Sequence, residues 1–295
     1  MRTILIHAAA TTLAIELWLT ASPALAEMVD LALILAADNS GSVDEDEFRL
    51  QRQGYAAALA SPAVLDAIKR APHQAIAVTF IEWSGIEQQK VIAEWAVIRD
   101  GATAAVFASA IVGAPRGLVG GTSISAAIDF AVRYFAKSGI ESERKIIDIS
   151  GDGTNNDGPP VTKARDDAVA VGITINGLAI VNEHRSPEDP HTHPPGGILE
   201  YYRQNVIGGR GAFALVAKDP SSFGQAVVDK LVGEIAKFQA PFGTRNLAAH
   251  AAPSASVDIP GLRVGVGTYI GVRGDQQKKP AYSTRHALAY WENVH

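Results

Sequence analysis

The chain has 295 residues, 47% of them hydrophobic and 19% charged, with 26 Lys and Arg against 31 Asp and Glu for a formal net charge of -5. That balance excludes a disordered polar chain, a collagen-like repeat and a multi-span membrane protein, and it disfavours a basic nucleic-acid binder. The absence of Cys removes disulfides, thiolate catalysis, cysteine zinc sites and iron–sulfur clusters together, so oxygen and imidazole groups must carry any chemistry.

Residues 1–26 read as a secretory signal. Arg2 precedes an apolar stretch from Ile4 to Leu19, interrupted by His7 and Glu16, and Ala24-Leu25-Ala26 offers a small-residue cleavage site after Ala26. Glu16 breaks the stretch well short of the ~20 uncharged residues a membrane span needs. The expectation is export to the periplasm or beyond, with no membrane span. Short β-rich runs then alternate with amphipathic stretches, the signature of α/β layers. Strands are predicted at 29–36, 75–83, 145–150, 173–180 and 212–217, mostly as continuous apolar runs that suit burial on both faces, with a more polar edge strand at 89–98. Helices are predicted at 44–60, 62–70, 102–112, 122–138, 159–171, 198–206 and 220–237. In the fourth of these, Ile124, Ile128, Val132 and Phe135 make one apolar stripe. These elements place one α/β domain over 28–240. The tail, 241–295, has no sustained period and carries 6 Lys and Arg against 3 Asp and Glu, and is expected to be poorly ordered. Its Gly265-Val266-Gly267 and Arg273-Gly274-Asp275 are assigned no function.

The chemistry concentrates at three places. Asp38-Asn39-Ser40-Gly41-Ser42 follows the first strand, and alternate residues 38, 40 and 42 can face one crevice at its carboxyl end, where open α/β sheets bind ligands. Gly120-Gly121-Thr122 opens an amphipathic helix, and Ser150-Gly151-Asp152-Gly153 ends another buried strand. Two carboxylates and three hydroxyls suit a hard divalent cation such as Mg²⁺, and with sulfur and imidazole missing from the set, zinc and copper fit poorly. Taken singly, each piece is an ordinary turn, and Ser42 or Thr122 could merely cap a helix. Their shared location at strand ends and helix starts favours the metal.

Asp38-x-Ser40-x-Ser42, Thr122 after Gly-Gly, and Asp152 in a strand-ending Gly-Asp-Gly resemble the metal-ion-dependent adhesion site of von Willebrand factor A domains. VDLALILAADNSGSVDEDEF, IEWSG, GGTSISAAIDFA, IDISGDGTNNDGPP, ITINGLAI and YYRQNVIGG resemble more closely a bacterial subfamily, the domain of unknown function numbered 1194, over about residues 28–240. The resemblance implies a three-layer α/β/α fold with a mostly parallel sheet and one antiparallel edge strand, for which 89–98 is the candidate. It implies that Ser40, Ser42 and, at least with ligand bound, Thr122 coordinate Mg²⁺ or Mn²⁺ directly, while Asp38 and Asp152 act mainly through water. One coordination position would remain for an Asp or Glu carboxylate of a protein partner. Binding rather than catalysis is the implied function, with no catalytic residue.

The same residues also resemble the first and last motifs of haloacid dehalogenase-type phosphatases, which would make Asp38 a nucleophile. That family needs a second Asp two residues on as general acid/base. Ser40 stands there instead, and a hydroxyl of ordinary pKa cannot shuttle the proton. Of the remaining features, Asp44 and Glu47 read as a capping box. His184, His191 and His193, with Glu183, Glu188 and Asp189, could chelate, but the prolines of 181–197 favour an exposed loop. Asp148, inside a buried strand, either braces the metal loops or is a plain buried carboxylate. Arg116 could steer an acidic ligand, although a lone loop arginine is usually solvated.

Overall fold

In the computed structural model the described residues are 28–117, 120–181, 185–236, 258–259 and 262–263. The proposed signal and most of the tail lie outside them. The chain divides into two units, Met1–His250 and Ala251–His295. In the second, β9 (Asp258–Ile259) pairs antiparallel with β10 (Leu262–Arg263).

In the first unit the order is β1 (Met28–Val29), β2 (Leu31–Asp38), α1 (Glu45–Leu59), α2 (Pro62–Arg70), β3 (Ile76–Trp83), β4 (Gln89–Ile98), α3 (Gly101–Gly113), α4 (Ile124–Lys137), β5 (Glu141–Ser142), β6 (Lys145–Gly151), α5 (Val161–Ala170), β7 (Ile173–Ile180), α6 (Ile198–Tyr201), a π-helical turn (Tyr202–Val206), β8 (Ala214–Ala217) and α7 (Pro220–Ile235). The main sheet has the order β4-β3-β2-β6-β7-β8, parallel throughout except for β4, which runs antiparallel to β3 at one edge. The 89–98 segment is therefore the antiparallel edge that the resemblance implied. β1 and β5 form a separate short parallel pair.

Alternation along β2 divides the core. Leu31, Leu33 and Leu35 pack with Tyr55 and Leu59 of α1, Val64 and Ile68 of α2, Phe107 of α3 and Phe223, Val227 and Leu231 of α7. Ala32, Ile34 and Ala36 face the other way, onto Ile124, Ile128 and Phe135 of α4, Val161 and Ala164 of α5, and Tyr202. This is the expected α/β/α layering, in which truncating one core leucine to alanine costs about 2–5 kcal/mol.

Helix starts follow local chemistry. The Asp44 carboxylate accepts from the Asp46 and Glu47 amides while Glu47 accepts from the Asp44 amide, so the acidic run after Ser42 is a capping box. Ser61 caps α2 with Pro62 next, and Asp100 with Thr103 closes a box on α3. Two boundaries differ from the sequence expectation. The stretch 198–206 is not one α-helix but a short α turn followed by a π turn that carries Tyr202 into the core. The helix expected to open at Thr122 starts at Ile124 and is capped by Ser123, which accepts from the Ala126 amide.

Strand order reverses at β2, with β3 on one side and β6 on the other, which makes the carboxyl ends of β2 and β6 the topological switch point. The register Ala37↔Ser150 sets Asp38 and Asp152 side by side there.

Candidate functional site

β2 ends on Asp38, whose carboxylate turns back to accept the Ser40 amide through Oδ1 at 2.7 Å. This short loop aligns the two serines, with Ser40 Oγ 3.1 Å from Ser42 Oγ, and Ser42 Oγ donating to Asp152 Oδ1 at 2.7 Å. Asp38, Ser40, Ser42 and Asp152 thus form one contiguous cluster. Thr122 comes from the loop before α4. Gly41 N donates to Gly120 O at 3.0 Å, and the Thr122 amide and carbonyl both hold the 152–157 loop, through Asn156 Oδ1 at 2.9 Å and Asn156 N at 2.9 Å. Because Asp44 and Ser123 do the capping, the Ser42 and Thr122 hydroxyls are not consumed at helix ends. The helix-cap alternative for these two residues is thereby set aside.

All of these groups except half-buried Ser42 are nearly inaccessible: Asp38 is 2% exposed, Ser40 0%, Thr122 2% and Asp152 3%. Asp38 Oδ2 is buried with no hydrogen-bond partner. Burial, and after it the Asp152 carboxylate, drives the Asp38 carboxyl well above the ordinary aspartate range, against the opposing bonds from Ser40 and from the Asp152 amide. Tyr202 OH, also without a partner, is pushed up by burial and then by Asp38 and Asp152. Two facing carboxylates in a dry site demand a proton or a cation. A divalent ion would supply, through its bound water, the missing partner of Oδ2, and three hydroxyls with two carboxylates match the oxygen preference of Mg²⁺ or Mn²⁺. Among the described residues no group of three or more His, Cys, Asp or Glu is placed to hold a metal, so any cation here would depend on the hydroxyls.

A tight frame holds the cluster. A Cβ on Gly151 would stand 2.8 Å from Asp38 Oδ2 and 2.9 Å from Tyr202 OH, so only glycine leaves room for both. Buried Arg52 pairs with Glu82 at 2.7 Å, Glu82 accepts from Asn39 Nδ2 at 3.2 Å, and Arg116 donates to Asn39 Oδ1 at 2.9 Å and to Val43 O at 2.6 Å. Arg116 is therefore tied down within the frame rather than solvated. Asp157 Oδ2 accepts the Ile86 amide at 2.7 Å, and Ser123 N donates to Ser84 O at 2.8 Å, which draws the IEWSG loop in as well.

Asp148 lies elsewhere, between the sheet and α7, with Lys230 Nζ 2.6 Å from its Oδ1 and 2.5 Å from Glu234 Oε1. It is a buried ion-paired carboxylate and not a brace for the metal loops.

Among the residues that the sequence left aside, His191 is the addition. The 185–197 stretch folds back over the site, and His191 sets Nε2 3.2 Å from Thr122 Oγ1 and Nδ1 3.1 Å from Thr154 Oγ1. The stretch is the expected loop, exposed at 185–188, 190 and 195–197, but half-buried His191 turns inward and brings an imidazole beside Thr122. A His-x-His pair gave a signal for chelation but not for where it would land. His184 lies outside the described residues.

Comparison with known proteins gives a family and a fold. No curated protein matches the chain significantly. A pilus adhesin, SpaC of Lactobacillus rhamnosus GG in its open conformation, superposes with a TM-score of 0.50 at 15% identity, covering 71% of this chain and 30% of that one. A von Willebrand factor type A protein of Catenulispora acidiphila gives 0.48 at 14% identity, over 70% of this chain and 43% of that one. The vWF domain of the pilus tip protein Mfa5 of Porphyromonas gingivalis gives 0.47 at 9%, over 73% and 98%. The chain thus spans less than half the length of the first two. Residues 28–239 match the family described as "Protein of unknown function (DUF1194)". The chain, with its α/β/α layers and single antiparallel edge strand, belongs to the DUF1194 family.

Proposed function

We propose that this chain is an exported binding module that uses a divalent cation, Mg²⁺ or Mn²⁺, to capture an Asp or Glu carboxylate of a protein partner. The observation that carries the reading is Asp38 Oδ2, a buried carboxylate oxygen without a partner, beside Asp152 and the linked hydroxyls of Ser40 and Ser42. Ser40, Ser42 and Thr122 would hold the ion directly, with Asp38 and Asp152 acting through bound water. Neutral hydroxyls withdraw little of the ion's charge, so the cation keeps its attraction for an incoming carboxylate. The frame of Asn39, Arg116 and Glu82 holds the serine loop so that little ordering remains at binding. Export rests on the signal-like residues 1–26, and no described helix is long and apolar enough to cross a membrane. The phosphatase alternative gains no support from this geometry, because Ser40 hydrogen-bonds Ser42 at the position that needs a proton-shuttling carboxylate.

The test is calorimetric titration of the chelator-stripped chain with Mn²⁺, together with affinity capture from cell-envelope extract in Mg²⁺ and in EDTA. Saturable Mn²⁺ binding and cation-dependent capture are expected, both lost in Asp38→Ala and Ser40→Ala while the fold persists by circular dichroism. Capture that is unchanged in the variants, or in EDTA, overturns the reading.

A further inference from the structure

We propose that His191 is a nitrogen ligand of this same cation site, so that the chain prefers transition-series divalent ions such as Mn²⁺ and Co²⁺ over Mg²⁺. The proposal rests on the cation-site reading above and adds to it a ligand from outside the five-residue set.

Three observations carry it. The first is spacing. Adjacent ligands of an octahedral ion with bonds of about 2.1 Å stand about 3 Å apart. The Ser40 Oγ to Ser42 Oγ distance of 3.1 Å and the Thr122 Oγ1 to His191 Nε2 distance of 3.2 Å both match that edge. The second is the ring's other nitrogen, since a metal-binding histidine commonly anchors it on an oxygen acceptor, which fixes the tautomer and aims the lone pair. Nδ1 sits 3.1 Å from Thr154 Oγ1, and a neutral ring donating there presents the Nε2 lone pair toward Thr122. The third is that the ring is held in advance. His191 N donates to Asp189 Oδ1 at 2.9 Å, Thr154 N donates to His191 O at 2.9 Å, and Arg185 Nη2 ties the same stretch to Gly41 O at 2.8 Å. Gly153 opens the slot, because a Cβ there would lie 2.4 Å from two ring atoms. Imidazole raises affinity for transition-series ions far more than for Mg²⁺, which favours oxygen ligands and water. Three hydroxyls and one imidazole leave two octahedral positions, enough for a water shared by the carboxylates and for a visiting carboxylate.

The experiment uses the full chain stripped with EDTA. Mn²⁺ and Mg²⁺ are titrated by calorimetry into wild type, His191→Gln and Asp38→Ala, and the Mn²⁺-loaded forms are examined by pulsed electron paramagnetic resonance for coupling to a ring nitrogen. Gln keeps an acceptor for the Thr122 hydroxyl, which separates ligation from mere positioning of Thr122. Expected are nitrogen coupling in wild type, its loss in His191→Gln, a roughly tenfold weaker Mn²⁺ affinity in that variant, and Mg²⁺ affinity within about twofold. Wild-type Mn²⁺ binding that shows no nitrogen coupling and is abolished by Asp38→Ala overturns the His191 ligand and leaves the cation site standing. Absence of saturable binding of either ion to wild type overturns both.

Discussion

Replacing Asp38 with Asn changes one buried oxygen to nitrogen and should reverse its effect on stability according to whether a cation is present. In EDTA the wild type keeps a buried carboxylate whose Oδ2 has no partner and whose neighbour is Asp152. A buried polar atom left unsatisfied costs about 1–3 kcal/mol, and Asn supplies an amide that can donate to Asp152 without the proton that the Asp38 carboxyl, raised by burial and by Asp152, must take up when no cation is bound. A gain of about 2 kcal/mol corresponds to about 4–8 °C in Tm for a domain of this size. With Mg²⁺ or Mn²⁺ at about a thousand times its Kd, the wild type gains about 4 kcal/mol by mass action and the Asn variant gains little. The order then inverts, and wild type leads by about 2 kcal/mol. Thermal unfolding by circular dichroism, in EDTA and in saturating cation, reads both signs. A variant that melts below wild type in EDTA, or a wild-type Tm that added cation does not move, would refute the argument that Asp38 is a carboxylate waiting for an ion.

Gly151→Ala should lose cation binding and about 1–3 kcal/mol of stability, because its Cβ would crowd Asp38 Oδ2 at 2.8 Å and Tyr202 OH at 2.9 Å. Calorimetry with Mn²⁺ and urea unfolding check the two effects. Lys230→Met strands Asp148 and Glu234 as buried carboxylates without their cation and should cost about 3–5 kcal/mol, seen as a lower urea midpoint. Burial lifts the Asp148 carboxyl to about 7, outweighing the lowering by Lys230. The folded state then keeps a proton that the unfolded chain gives up near the ordinary aspartate value. The resulting stabilisation is complete below about pH 4 and is lost as pH rises through about 7, at no more than about 1.4 kcal/mol per unit. Urea unfolding in EDTA between about pH 5 and pH 8 should show a decline to which the raised Asp38 carboxyl adds with the same sign, and Asp148→Asn should make it shallower without abolishing it.

The elements and the 38–42 loop are legible because their signals are local. Continuous apolar runs marked β2, β3, β6 and β7 to within two residues or so, and Asp44 with Glu47 announced a helix start. Asp38, Ser40 and Ser42 lie within one short loop, so strand-end position and spacing sufficed. The partners of Asp148 were not legible: Lys230 and Glu234 stand on an amphipathic helix where a charge usually means solvent, and only packing of α7 on the sheet reveals both as buried. His191 failed for a related reason. Its stretch has no period, and the contact with Thr122 spans 69 residues of sequence. The π turn at Tyr202–Val206 continues directly from the α turn at Ile198–Tyr201, with no proline or glycine between them to mark the change of winding.

The lateral pairing of β2 with β6 also makes the oxygen cluster a timer for assembly. Ser42 and Asp152 are 110 residues apart in sequence, and they meet only when Ala37 stands opposite Ser150. A shift of one residue between those strands would turn every side chain of one of them to the opposite layer and carry its half of the cluster away. During refolding, a fluorescent or paramagnetic ion should therefore stay unbound through collapse and helix formation, and report the moment at which the two middle strands lock.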